Sequence, residues 1–338
     1  MYEISDNIYN RPLGRDETKL KVWRYAGLMV TYRCPAACEF CYYNCSSEKG
    51  GLMAVETAIS AWRSLRMLAG ENAKVHITGG EPFLYFDRVM DILNEGQKRE
   101  LGGVDSVETN GYWATDRKII EKRLRLLDGA GLERLKISWD PFHAEYIDID
   151  CVRRLAEVAE EILGAERVLV RWAKYLDEPV KMKGELLEER IKGYRAAVAD
   201  YPCRFTGRGA GQLGDLFAST PIEALRGKNC KSAFLSSKGV HIDPYGNVFS
   251  GRCSGIIIGN VEEKPLERIW AEFDPSEMDL ISQLFEGGPT GVAEKIANSR
   301  YKTKTMYAGK CHFCNNLRQF FFDNGENKRI IGPCDCYI

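Results

Sequence analysis

The sequence predicts an α/β fold, a partial (β/α)6 TIM-like barrel followed by a smaller, cysteine-rich α+β domain. Between residues 27 and 205, short apolar runs typical of strands alternate with segments whose apolar residues recur at helical spacing. Repeated strand–helix units favour a parallel sheet with helices outside it, and six units are too few for a closed eight-stranded barrel. From residue 230 to the end, turn signals and cysteines replace the alternation, which predicts a second domain.

The predicted elements follow one another in strand–helix order. Strands are predicted over residues 27–31, 74–78, 104–109, 134–139 and 167–172, with a sixth over 203–206. Helices are predicted over residues 55–68, 89–99, 119–127, 152–163 and 186–201. Glycines follow the third and fourth of these helices, as helix C-termini favour.

The same pattern divides the chain into four segments. They are an N-terminal extension over residues 1–24, the barrel over 25–206, a linker over 207–229 and the C-terminal domain over 230–338. Within the last, the run Pro-Tyr-Gly-Asn at 244–247 lies between two β-like runs and predicts a hairpin turn.

Composition excludes several classes of protein. Lys plus Arg number 47 and Asp plus Glu number 48, so no basic field indicates a nucleic-acid partner. The N-terminus has neither a basic nor an apolar segment of signal-peptide type, and no apolar run is long enough to cross a bilayer. We therefore expect a cytoplasmic protein without a membrane partner. Twelve cysteines in such a protein favour metal binding or catalysis over disulfides.

The unusual loops of the barrel all follow predicted strands. They are the cysteine-rich segment after the first strand, Gly-Gly-Glu-Pro at 79–82, Asn-Gly at 110–111 and Ser-Trp-Asp-Pro at 138–141. In parallel α/β sheets the carboxyl ends of the strands carry the chemistry. The four loops are therefore predicted to meet at one rim.

The first cysteine cluster has the spacing CxxxCxxC, formed by Cys34, Cys38 and Cys41. A short loop of this kind can hold an iron–sulfur cluster by three thiolates. Three ligands on four irons leave one iron open to another molecule, as catalytic metal sites require. A zinc site is the alternative, although zinc usually takes four ligands. Cys45 is a candidate fourth ligand, but a fully ligated cluster would only transfer electrons.

These motifs resemble those of the radical S-adenosylmethionine (radical SAM) superfamily. The resemblance covers residues 25–206 and consists of CxxxCxxC after the first strand and GGEP at 79–82 after the second. It implies a catalytic 4Fe–4S cluster held by Cys34, Cys38 and Cys41, with S-adenosylmethionine chelated to its open iron. It also implies reductive cleavage of that cosubstrate to methionine and a 5′-deoxyadenosyl radical, which takes hydrogen from a substrate.

The resemblance implies roles for further residues on the rim. Gly79 and Gly80 would bring backbone close to the methionyl amine, as glycine permits, and Glu81 would shape their loop. Phe40 would contact the adenine. Among the weaker assignments, Ser138 and Asp140 lie where the family commonly binds the ribose, and Asn110 ends the third strand on the same rim. Arg171, on the fifth strand, could pair with the carboxylate of the cosubstrate. An ordinary turn or surface role is the alternative for each of the four. His143 is a further candidate for the rim, although the prediction favours a solvated loop side chain.

A second cysteine set lies in the C-terminal domain. Cys230 and Cys253 flank the predicted hairpin, and Cys311 and Cys314 form a CxxC pair. This arrangement resembles the SPASM and twitch domains of the superfamily, which implies a second, auxiliary 4Fe–4S cluster. A structural zinc on the same four cysteines is the alternative. Of the remaining cysteines, Cys334 or Cys336 could replace one of these ligands, or the two could help build a further site. Cys45, Cys151 and Cys203 are expected to be small buried residues or bystanders.

The resemblance also limits the function. It implies an enzyme whose net reaction is an oxidation assisted by the auxiliary cluster, with an electron donor such as flavodoxin or ferredoxin and a small-molecule or peptide substrate. An auxiliary cluster with an open iron would instead bind the substrate. The alternatives are a ribosomal-peptide or protein side-chain maturase of the same superfamily, and a non-catalytic iron–sulfur or zinc scaffold.

Overall fold

A computed structural model describes residues 1–201, 203–251 and 253–338. Its strands are β1 (Tyr25–Met29), β2 (Lys74–Thr78), β3 (Ser106–Thr109), β4 (Leu135–Ser138), β5 (Val168–Arg171), β6 (Thr220–Pro221), β7 (Gly239–Ile242), β8 (Asn247–Ser250), β9 (Ile257–Asn260) and β10 (Met306–Tyr307). Its α-helices are α1 (Val55–Ala69), α2 (Phe86–Lys98), α3 (Arg117–Gly129), α4 (Ile149–Leu163), α5 (Lys174–Asp177), α6 (Leu187–Asp200), α7 (Arg208–Gln212), α8 (Lys231–Leu235), α9 (Leu266–Glu272), α10 (Asp279–Lys295) and α11 (Lys310–Asp323).

The central sheet has eight strands in the order β5-β4-β3-β2-β1-β7-β8-β9. Strands β1 to β5 pair in parallel with their neighbours, and β7 pairs in parallel with the other side of β1. The hairpin β7–β8 and strand β9 then continue the sheet in antiparallel pairing. The predicted α/β architecture with a partial barrel is confirmed, and the C-terminal hairpin is part of the barrel sheet.

The predicted sixth strand over residues 203–206 is wrong. These residues have no regular secondary structure, and the sixth parallel strand is β7, at the opposite side of β1. Gly207 explains the deviation: it has a φ of 54°, and a Cβ there would lie 2.4 Å from the carbonyl oxygen of Tyr42. The chain therefore turns against the cysteine loop, where only glycine fits, and does not extend along β5.

The hydrophobic core lies between the sheet and the helices α1 to α4, whose buried faces follow the predicted helical spacing. Gly164 ends α4 with a φ of 92°, as predicted. The N-terminal extension packs on the C-terminal half of the chain, because the buried Asn7 amide donates to the backbone carbonyls of Trp270 (2.5 Å) and Phe273 (3.0 Å). Among the described residues, no helix is long and apolar enough to cross a membrane.

Candidate functional site

One cavity of about 190 Å³ opens at the carboxyl ends of β1 to β5. All but one of the barrel residues singled out above line it: Cys34, Cys38, Phe40, Cys41, Gly79, Gly80, Asn110, Ser138, Asp140 and Arg171. Side chains from five strand ends therefore converge at one rim, as the strand–loop order predicts. We refer to this space as the barrel cavity.

The three cysteines of CxxxCxxC lie on an irregular loop held by backbone hydrogen bonds. The Cys34 amide donates to the carbonyl of Ser46 (3.0 Å) and the Cys41 amide to the carbonyl of Cys38 (3.1 Å). Burial raises the pKa of the Cys34 and Cys38 thiols. The pKa of Cys41 is lowered to about 6, first by a hydrogen bond from the Cys45 side chain. Cys45 thus lies against Cys41 in the same cavity.

Arg208, which was not predicted from the sequence, holds the cysteine loop in place by hydrogen bonds. Its guanidinium donates to the carbonyls of Cys38 (2.9 Å), Asn44 (3.0 Å) and Cys45 (2.7 Å). Its own amide donates to the carbonyl of Cys41 (3.0 Å). Three backbone acceptors of an irregular loop are thereby satisfied by one cation, and that cation lies close to the thiols. No local signal in the sequence marks this arginine.

Gly79 and Gly80 are required by backbone packing against the cysteine loop. A Cβ on Gly79 would lie 2.6 Å from the carbonyl oxygen of Thr31, and one on Gly80 would lie 2.2 Å from that of Arg33. The amide of Gly80 donates to Thr31 (2.6 Å) and that of Glu81 to Arg33 (2.9 Å). The two motifs are therefore joined backbone to backbone, and any larger side chain would push them apart.

Glu81 is the predicted site residue that does not line the barrel cavity. Its side chain is fully buried. One carboxylate oxygen accepts from the Phe83 amide (3.0 Å) and the Thr109 hydroxyl (2.9 Å), and the other from the Asn110 amide (2.7 Å). Burial raises its pKa to about 7, although these hydrogen bonds favour the charged form. Glu81 thus connects the ends of β2 and β3.

Phe40, which lies between the second and third cysteines in the sequence, is buried among other aromatic side chains. Its ring stacks on Phe142 (centroids 5.0 Å apart) and meets Tyr42 and Phe205 edge to face (5.2 and 5.5 Å). It also packs on Gly209, where a Cβ would lie 3.2 Å from the ring. The aromatic wall of the cavity is therefore fixed by neighbours from the cysteine loop, the turn after β4 and residues 205–209.

The favoured prediction that His143 is solvated is wrong, and the structure instead places His143 at the rim. Only 23% of its side chain is exposed, Nδ1 lies 2.8 Å from a carboxylate oxygen of Asp140, and the residue lines the barrel cavity. Burial alone would lower its pKa, and the Asp140 carboxylate raises it above the usual value. The turn Asp140–His143 brings the two groups together, because the His143 amide donates to the Asp140 side chain (2.9 Å).

Other lining residues of the barrel cavity were not singled out from the sequence. Glu108 on β3 lies near its floor, accepts from the Thr78 hydroxyl (2.9 Å) and lies 3.8 Å from the Lys136 ammonium. Its burial would raise its pKa, but the neighbouring His76 and Lys136 lower it below the usual value. A strand residue with this role is recognisable only when the inward face of the barrel is known.

A second cavity of about 180 Å³ brings the C-terminal cysteines together. All four predicted members line it: Cys230, Cys253, Cys311 and Cys314. Three cations line it too, Arg204, Lys310 and Arg318. Cys336 lies outside it, with its sulfur 3.5 Å from the Tyr32 hydroxyl, and Cys334 is exposed. We refer to this space as the auxiliary cavity.

Both cavities fit iron–sulfur clusters by the chemistry of their donors. The barrel cavity offers the three thiols of one loop. The auxiliary cavity offers four thiols, two of them from α11, beside Arg318 and Arg204, each of which has a buried Nε without a partner in the described residues. Within the described ranges, no three His, Cys, Asp or Glu side chains converge on the position of one metal ion. The cysteines instead border spaces larger than an ion.

Comparisons with known proteins agree with the geometry. Residues 28–192 match the Radical SAM superfamily. A putative peptide biosynthesis protein YydG of Bacillus subtilis (strain 168) is 25% identical over 46% of this chain and 47% of its own length. A GTP 3′,8-cyclase of Listeria monocytogenes serotype 4b is 32% identical over 44% of this chain and 43% of its own length. The matched region thus spans less than half of these curated relatives.

A solved structure shares the fold over most of the chain. It is BtrN in complex with AdoMet and 2-DOIA, with 16% identity, a TM-score of 0.50 and coverage of 80% of this chain and 90% of BtrN. The sheet order, the converging CxxxCxxC and GGEP loops and the match over residues 28–192 together identify a radical SAM domain in this chain.

Proposed function

We propose that the protein is a radical SAM enzyme that reductively cleaves S-adenosylmethionine in the barrel cavity and oxidises a small polar substrate there. The observation that carries the proposal is the convergence of three thiols, two close-packed glycines and the rim residues of β3 to β5 on one cavity. When bound, a 4Fe–4S cluster with one open iron would supply the electron that breaks the carbon–sulfur bond of the cosubstrate.

The residues of the chain would position the cosubstrate. Cys34, Cys38 and Cys41 would hold the cluster, and the backbone at Gly79 and Gly80 would border the methionyl group. Arg171 lines the barrel cavity and is without an ion pair in the described part of the chain, so its guanidinium is available to a carboxylate. The aromatic wall around Phe40 would pack on the adenine and exclude water.

The substrate would lie against the floor of the barrel cavity. Glu108 is ionised there and would accept hydrogen bonds from substrate hydroxyl or amino groups, with Thr78 and Lys136 holding its carboxylate in place. A small molecule with several hydrogen-bond donors fits this chemistry. The auxiliary cavity would hold a second 4Fe–4S cluster on its four cysteines, which favours electron transfer over ligation of the substrate.

A peptide substrate is the second candidate. It is supported by the similarity to the putative peptide biosynthesis protein, and it fits the same site because a side chain can enter the barrel cavity from the rim. Assays of 5′-deoxyadenosine release would distinguish a small-molecule substrate from a peptide. Only the true substrate class accelerates release above the rate measured without substrate. A cytoplasmic flavodoxin or ferredoxin would serve as electron donor.

The testing experiment measures iron, sulfide and zinc together with 5′-deoxyadenosine formation under anaerobic conditions. Wild type is compared with a Cys34/Cys38/Cys41→Ala variant and with Cys151→Ala, a control on α4 outside both cavities. About eight irons in wild type and about four in the triple variant, with cleavage lost only in the latter, support the proposal. Zinc without iron or cleavage in the wild type refutes it in favour of a binding scaffold.

A further inference from the structure

A buried guanidinium lies beside the four cysteines of the auxiliary cavity. Arg318 follows Cys314 by one turn of α11 and is 3% exposed. Its two terminal nitrogens donate to the Ser254 carbonyl (2.5 Å) and to the Asn315 side-chain oxygen (3.1 Å). Its Nε is buried and has no partner among the described residues. The side chain is therefore held in place at the cavity, with its buried Nε–H donor left without an acceptor among the described residues.

Two further cations border the same cavity. Arg204 has a buried Nε that is likewise without a partner in the described part of the chain, and the Lys310 ammonium donates to the Asn229 carbonyl (2.6 Å). The residues that line the cavity include no carboxylate, within the ranges that the structure describes. Positive charge thus collects around four thiols without a negative side chain to balance it.

This distribution of charge requires an anion. A buried cation without a counter-charge is costly, because burial removes water that no neighbour replaces. Neutral thiols supply no charge, whereas a cluster ligated by thiolates is a net anion and becomes more negative on reduction. A cation next to such a group stabilises its reduced state more than its oxidised state.

We propose that Arg318, with Arg204 and Lys310 beside it, is the counter-charge of the auxiliary cluster, which retains the cluster and raises its reduction potential. The inference rests on the proposed function, because it takes the auxiliary cavity to hold an iron–sulfur cluster. Arg318 is a positioning residue in this scheme. It makes the auxiliary cluster a better electron acceptor without contacting the substrate.

The test measures the midpoint reduction potential of the auxiliary cluster in a redox titration monitored by electron paramagnetic resonance. The parent is the full-length Cys34/Cys38/Cys41→Ala variant, in which signals of the catalytic cluster are absent. Arg318→Gln removes the charge, Arg318→Lys keeps it, and Arg123→Gln removes a cation from α3 that also has a buried nitrogen without a partner in the described residues. Iron content is measured on each protein.

We expect Arg318→Gln to shift the midpoint to lower potential, Arg318→Lys to stay nearer the parent, and Arg123→Gln to match it. Loss of iron in Arg318→Gln but not in Arg318→Lys also supports the proposal. Equal potentials in parent, Arg318→Gln and Arg318→Lys overturn it.

If both Arg318 variants lose the cluster, Lys310→Gln and Arg204→Gln provide the measurement. A downward shift in these two variants supports the counter-charge, and unchanged potentials refute it. A parent that binds zinc and no iron refutes the auxiliary cluster itself. That outcome is distinct from an iron-loaded parent whose variants show no shift, which refutes Arg318 alone.

Discussion

Replacement of Glu81 by Gln tests how the GGEP loop is held at the ends of β2 and β3. The carboxylate accepts three hydrogen bonds, from the amides of Phe83 and Asn110 and from the Thr109 hydroxyl. A glutamine of the same length retains one oxygen and turns an NH2 group toward a donor. One buried donor, most directly the Asn110 amide, then loses its acceptor, at a cost of about 1–3 kcal/mol.

The pH dependence separates this explanation from a general loss of packing. The folded-state pKa of Glu81 is about 7, raised from 4.5 by burial. Because the folded-state value is the higher one, its contribution to stability is fully present below about pH 4.5 and is lost as the pH rises through about 7. Each unit of difference between the folded and unfolded pKa corresponds to about 1.4 kcal/mol, so the total loss of stability is about 3 kcal/mol. About 2 kcal/mol of this loss falls between pH 5.5 and pH 8.

A glutamine at position 81 does not titrate, so the variant lacks this loss. The difference in unfolding free energy between wild type and Glu81→Gln should therefore shrink by about 2 kcal/mol between pH 5.5 and pH 8. Urea denaturation of the metal-free proteins at several pH values, followed by tryptophan fluorescence, measures that difference. Metal-free protein is used because cluster binding would add its own pH-dependent term.

Glu121→Gln is the matched control, since Glu121 lies on the exposed face of α3 and pairs with Arg117 at the surface. Its difference from wild type should stay within about 0.5 kcal/mol over the same pH range. A difference for Glu81→Gln that stays constant or widens toward pH 8 would show that the buried carboxylate is not the titrating group that holds this loop.

Three further outcomes follow from the contacts of the cysteine loop. Gly80→Ala should lower both bound iron and 5′-deoxyadenosine formation at least about tenfold, because its Cβ would lie 2.2 Å from a carbonyl oxygen of the cysteine loop. Gly287 has open space around it, so the control variant Gly287→Ala should match wild type in both assays. Deletion of residues 333–338 removes two acceptors of the Asn44 side-chain amide, and calorimetry should show a loss of about 2–4 kcal/mol in stability. Arg208→Gln should lower the iron content of the catalytic site in a variant whose auxiliary cysteines are replaced by alanine, because three loop carbonyls lose their donor.

Most of the barrel was predictable because strands and helices with regular patterns carry local signals. The strand over residues 74–78 agrees with β2 residue for residue, and the helix ends at Gly164 and around residue 55 were close to those observed. The strand predicted over 203–206 is wrong because the four residues Cys-Arg-Phe-Thr carry little local information, and the contact of Gly207 with Tyr42 decides the path of the chain. Tertiary contact overrode propensity there.

The cysteine sets were predictable as groups because their spacing is a property of the chain itself. Glu108, Arg208 and Arg318 were not, since each is a charged residue whose partners come from distant segments. A charged residue in the sequence usually indicates a solvated surface. Only the fold shows that these three are enclosed, and enclosure is what turns an ordinary charge into part of a site.

The two cavities are connected by hydrogen bonds between side chains and backbone groups close to their cysteines. The Ser254 hydroxyl, next to Cys253, donates to the carbonyl of Tyr42, next to Cys41 (2.8 Å). The Gly207 amide donates to the Asn315 side chain, next to Cys314 (3.0 Å). Because hydrogen bonds of this kind constrain both partners, a displacement of the auxiliary cysteines also displaces the catalytic loop. Loss of cleavage in an auxiliary variant is therefore evidence about electron transfer only when the iron content of the catalytic site is unchanged.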